Sequence, residues 1–114
     1  MSEYQYEKVN NLREAKKTLL QFLRNLYEPL NNPFYANKII LVGKSNAKIQ
    51  LINEVYGVLK RNNYKILNNL EEEDEFTKEL LSKPISKESD CMQVFIFNEL
   101  PNCSFCNAFI IDFD

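Results

Sequence analysis

Apolar and polar residues alternate along this chain of 114 residues with two different periods, and the changes of period mark its elements. Lys38 to Gly43 is a short apolar run rich in β-branched residues and closed by a glycine, the pattern of a buried strand. Ile49, Ile52, Val55, Tyr56 and Leu59 then recur at steps of three and four, which draws one apolar face on a helix. Ser45 or Asn46 precedes that face and offers a short side-chain oxygen to the free N–H groups of the first turn. Lys60 and Arg61 fall in the last turn, where cations suit the helix dipole. Asn62 and Asn63 end the helix, and Tyr64 to Leu70 reads as extended chain. A strand–helix–strand unit of this length predicts parallel strands joined by a right-handed crossover.

The flanking segments extend this unit. Residues 3 to 8 alternate in character and predict a short edge strand. Asn10 to Leu30 is the clearest helix: Asn11 followed by Glu14 forms a capping box. Leu12, Ala15, Leu19, Phe22, Leu23, Leu26 and Leu30 draw its stripe, and Pro29 closes it. Arg13, Lys16, Lys17 and Arg24 fall off the stripe. Residues 31–37 form a turn-rich linker. Glu71 to Asp90 opens with five consecutive carboxylates that repel one another. It predicts a solvated, mobile connection, with Phe76, Leu80 and Leu81 as the anchor points of a short helix that Pro84 would end. CMQVFIF, from Cys91, reads as a strand, and NAFIIDF as a second strand or extended tail.

Composition narrows the class. A chain of this size holds one domain, residues 1–114, with one core. No apolar run approaches the roughly 18 residues of a membrane helix. The start MSEYQYEK has no apolar stretch of the export kind. With an odd number of cysteines, this leads to an expectation of an intracellular protein, nuclear or cytoplasmic, away from membranes. The net charge of −2 conceals an asymmetry, because residues 1–65 carry +6 and residues 66–114 carry −8. Two such halves suit two different partners, or an acidic segment that screens a basic face. They equally suit plain solvation of the surface.

Candidate chemistry is sparse. Gly43-Lys44-Ser45 sits between a strand and a helix, but a phosphate-binding loop needs a second glycine five residues earlier, where Lys38 stands. The helix start still offers N–H groups to one anion. Cys103-Ser104-Phe105-Cys106 has the spacing of a redox pair or half a zinc site. Only Cys91 is left as a third thiolate, and the chain has no histidine. The commonest general base is thus missing. The acidic run lacks the alternating spacing of a calcium loop. No catalytic residue, metal or cofactor is expected, and the chain reads as a binding protein and not an enzyme. Its basic side chains point to a phosphate backbone: Arg13, Lys16, Lys17, Lys44, Lys48, Lys60 and Arg61, with Arg24, Lys38 and Lys65 nearby in sequence. Tyr4, Tyr6, Phe34 and Tyr35 are aromatics that can stack on bases. A solvated helix surface accounts for any one of these cations equally well.

The stretch KIILVGKSNAKIQLINEVYGVLKRN resembles the Alba family of DNA- and RNA-binding proteins. Val58-Leu59-Lys60-Arg61 matches the end of its helix, and Ile49 its turn isoleucine. Asn46-Ala47-Lys48 falls where the family has Gly-x-Ala. The resemblance covers roughly residues 3–98. It implies an α/β two-layer sandwich, β-α-β-α-β-β, with two main helices on one face of a four-stranded mixed sheet. The acidic connection would replace the hairpin before the last strands. It also implies a non-catalytic, nucleic-acid-binding subunit of a ribonucleoprotein. Such a subunit would bind RNA first and DNA second, as a homodimer or a heterodimer with a related subunit. The alternative is a protein-interaction adaptor that pairs edge to edge through exposed C-terminal strands, using Phe95, Phe97, Phe109 and Ile111.

Overall fold

The computed structural model describes residues 4–25, 36–67, 71, 73–84 and 92–113. Within them run β1 (Tyr4–Lys8), α1 (Leu12–Asn25), β2 (Lys38–Val42), α2 (Ala47–Arg61), β3 (Tyr64–Leu67), α3 (Glu75–Ser82), β4 (Met92–Phe97) and β5 (Ala108–Asp112). The five strands form one sheet in the order β1-β5-β2-β4-β3, and every pair is parallel. The α/β class is therefore as expected, while the sheet is neither four-stranded nor mixed.

The helices also lie on both faces, so the two-layer arrangement gives way to three layers. On one face Ile39, Leu41, Val94, Phe109 and Ile111 pack under Ala15, Leu19, Phe22 and Leu23 of α1 and Leu51, Ile52, Val55 and Leu59 of α2. Phe22 stacks on Phe109 with ring centroids 4.2 Å apart. On the other face Ile40, Val42, Phe95, Phe97, Ala108 and Ile110 lie under Leu81 of α3 and Phe105 of the β4–β5 connection. Alternate residues of the same strands thus enter two cores. This is why β2, β4 and β5 are apolar almost continuously and not at every second position.

Direction and face change together along the chain. From β1 to β2 and from β2 to β3 it crosses the sheet one way, with α1 and α2 on the first face. From β3 to β4 and from β4 to β5 it returns, with α3 and residues 98–107 on the second. The right-handed rule for parallel connections requires this coupling.

Local signals explain the boundaries. The Asn11 side chain accepts the Glu14 N–H at 2.8 Å, as the capping box predicts. The Leu26–Leu30 end expected for that helix lies outside the described residues. Asn46 is the N-cap of α2 without a side-chain cap bond; instead the Ser45 hydroxyl accepts the Ala47 N–H at 3.3 Å. Asn63 takes φ 63° to turn the chain into β3, a conformation asparagine adopts at little cost. In the acidic segment the short helix expected around Phe76, Leu80 and Leu81 forms as Glu75–Ser82, and it docks more firmly than a solvated connection would. The Asp74 carboxylate caps the Phe76 N–H at 3.2 Å, and Lys78 lies 3.8 Å from Glu73 and 4.0 Å from Glu75. Those contacts relieve the repulsion, and Leu81, fully buried, docks the helix.

Candidate functional site

In an open parallel sheet, ligands settle at the carboxyl ends of the strands, where two neighbouring strands send their connections to opposite faces. Here that point lies between β2, which leads to α2, and β4, which leads to residues 98–107 on the other face. The crevice is filled from within. The Lys48 side chain turns back from the first turn of α2 and is buried. Its ammonium donates to the Gly43 carbonyl at 2.6 Å, the Ser45 carbonyl at 3.2 Å and Asn98 Oδ1 at 3.2 Å. A phosphate site would present N–H groups here; this turn presents carbonyls to a cation. Glu73, Asn98 and Glu99 line the open mouth beside Lys44, and Lys44 Nζ lies 3.8 Å from Glu99. Lys48 is thus a structural clamp, which corrects its reading as a nucleic-acid contact. Lys44 remains exposed beside a carboxylate.

Lys38 plays the matching role at the other end of β2. Its buried ammonium donates to Asn37 Oδ1 at 3.1 Å and to the carbonyls of Lys83 and Cys106, each at 2.7 Å. Burial pushes its pKa below the usual lysine value, because the charged form gives up solvent. The end of α3 and the β4–β5 connection are tied to the central strand by this one side chain.

The remaining cations divide. Arg13, Lys17 and Arg24 are exposed along α1, within about 40° of one line and across about 16 Å of the axis. None of the three takes part in the ion pairs seen among the described residues. Lys16 faces α2, with Nζ 3.2 Å from Glu54. Lys60 and Arg61 sit at the far end of α2, about 20 Å from its start, so the seven expected contacts do not form one patch. The aromatic partners are displaced as well. Tyr4 and Tyr6 share a register face with Ala108 and Ile110, opposite the helices that carry the cations. Tyr4 packs edge-on against Phe105 at 5.7 Å. Tyr6 donates to the Asp112 carboxylate, and that bond, then burial and the adjacent charge, push its pKa up to about 12. Phe34 and Tyr35 lie outside the described residues.

The partner-binding set is placed inside. Phe95, Phe97, Phe109 and Ile111 are buried, and β4 and β5 are interior strands paired on both sides. The free edges belong to β1 and β3 instead. Cys103 and Cys106 are free thiols, and burial pushes the Cys103 thiol up, with Lys78 opposing. Cys91 lies outside the described residues. Among the described residues no three of His, Cys, Asp and Glu gather around one point, and no helix is long and apolar enough to cross a membrane.

One surface escaped the sequence reading. Ile49 and Tyr56 were expected on the buried face of α2, yet they are 41% and 48% exposed. They line a groove of about 450 Å³ with Ile52, Asn53, Lys60, Lys65, Ile66 and Ile96. The signal was the width of the apolar arc on α2. From Val58 to Ile49 it spans about half the helix circumference, more than one sheet contact covers. No protein-family model matches this sequence, and no curated protein or solved structure matches it.

Proposed function

We propose that this chain is a non-catalytic nucleic-acid-binding subunit that holds RNA phosphates along the outer side of α1. The observation that carries this is the line of Arg13, Lys17 and Arg24, exposed and outside the ion pairs among the described residues. Lys16, on the same helix, and Lys44, on the β2–α2 turn, add weaker contacts, since each lies near a carboxylate. Phosphate contacts of this kind fix a strand in place without reading its sequence. The separation of charge between faces supports the same reading: α1 and α2 carry seven of the fourteen lysines and arginines, whereas Glu71, Glu73, Asp74, Glu75 and Glu79 lie on or before α3. A polyanion would approach the first face and be turned away from the second.

The test is fluorescence anisotropy with a labelled single-stranded RNA at several salt concentrations. Arg13→Glu combined with Lys17→Glu is expected to weaken binding at least about tenfold. It should also flatten the slope of log affinity against log salt by about 1.4, two phosphates at about 0.7 each. Unchanged affinity and slope in that variant, or no binding by the wild type, would overturn the proposal.

A further inference from the structure

Among the described residues, the β3 edge is left partly uncovered on both faces of the sheet. On the first face the groove beside α2 exposes Ile49 and Tyr56 over a floor of Ile66 and Ile96, with Lys60 and Lys65 where α2 gives way to β3. A layer of helices over this sheet would continue here, but the described residues place nothing on it. On the second face Phe76 of α3 is 60% exposed. Leu80, one turn further on, packs half-buried in the same cluster as Leu67 of β3. Phe76 and Leu80 therefore share the side of α3 that looks toward the β3 edge. Exposed carboxylates flank them, Glu75 and Glu79 among them.

We propose that these two half-finished surfaces complete each other in a two-fold dimer of this chain, with the α3 flank of each copy seated in the groove of the other. The chemistry is complementary: an apolar knob among carboxylates meets an apolar groove with lysines at one end. The topology is too. Both surfaces flank the same edge strand on opposite faces, so a two-fold axis running along β3 turns the second face of one copy toward the first face of the other. Such a rotation keeps the carboxyl and amino ends of the sheet aligned. Phe76 begins α3 at the carboxyl end, where α2 starts with Ile49. The contact occurs twice and closes on itself, as an isologous interface must. Interfaces of less than about 1,200 Å² are weak and reversible, so the dimer should dissociate on dilution. The two-fold contact uses the β3 edge of both copies, so the sheet does not extend further on that side. This inference does not depend on RNA binding.

Sedimentation equilibrium of the full chain, from about 1 μM to several hundred μM, tests it. The expected result is a monomer–dimer equilibrium. Ile49→Glu and Phe76→Glu, each with a thermal melt to confirm folding, should each shift the midpoint at least about tenfold toward monomer. A monomer at every concentration would overturn the proposal. So would a dimer indifferent to Ile49→Glu and Phe76→Glu, or open-ended growth.

Discussion

The two edges of the sheet are built from different materials. At β1 all five residues are exposed, and the strand is finished by polar and aromatic contacts: Tyr6 to Asp112, the Val9 N–H to the Asp112 carbonyl at 2.9 Å, and Tyr4 against Phe105. At β3 Tyr64 is buried, its hydroxyl 3.5 Å from the Ala36 carbonyl. Ile66 and Leu67 are left half-covered, one on each face. A polar edge is a surface in its own right, whereas an apolar one asks for a cover. The same secondary structure therefore ends in solvent on one side and in a candidate contact on the other.

The largest test of this contrast is a pair of truncations. Tyr64→Ala removes a ring buried at the β3 edge and should cost about 3–5 kcal/mol in urea unfolding. Tyr4→Ala removes a ring 52% exposed at the β1 edge and should cost less than about 1 kcal/mol. Equal losses would show that both edges are core.

A second pair probes the join between the halves of the sheet. Lys48→Met leaves two backbone carbonyls and Asn98 Oδ1 without the ammonium that they share. That should cost about 1–3 kcal/mol, while Lys44→Met, one turn away and exposed, should fall within about 0.5 kcal/mol of the wild type. The smallest effect belongs to the polar edge and appears only in alkali. The pKa of Tyr6 is raised from 10.0 to about 12. Its contribution is therefore fully present below pH 10 and is lost as pH rises through about 12. Absorbance titration of tyrosinate should show a late-ionising group that Tyr6→Phe removes.

Much of the architecture was legible in the pattern of residues. The β2–α2–β3 unit, the Asn11 cap and the β1 edge strand follow from periodicity and from short polar side chains at the right offsets. Sheet order was not legible, because strand pairing is a tertiary choice that local period does not encode. MQVFIF did carry a clue: apolar residues at both parities mark a strand covered on two faces, so its exposure to a partner was the wrong inference. The short helix at Phe76, Leu80 and Leu81 was legible, but its firm docking was not: the repulsion of the carboxylates is visible in sequence, whereas the Lys78 pairs and the buried Leu81 that offset it depend on the fold. The binding residues suffered most. Charge can be read from a sequence, but which cations turn inward cannot. Lys38 and Lys48 look no different from Lys17 until the carbonyls around them are known.

The clamp at the carboxyl end of β2 bears on how this protein responds to its surroundings. In proteins that hold a dissociable ion or nucleotide at such a crevice, part of the folding stability rises and falls with the ligand's concentration. Here the cation is covalently part of the chain, and its effective concentration at the site is set by a tether of a few bonds, far above that of any solute. The Lys48 clamp needs no ligand from solution, so this corner of the fold is buffered against changes in the ions and small molecules around it.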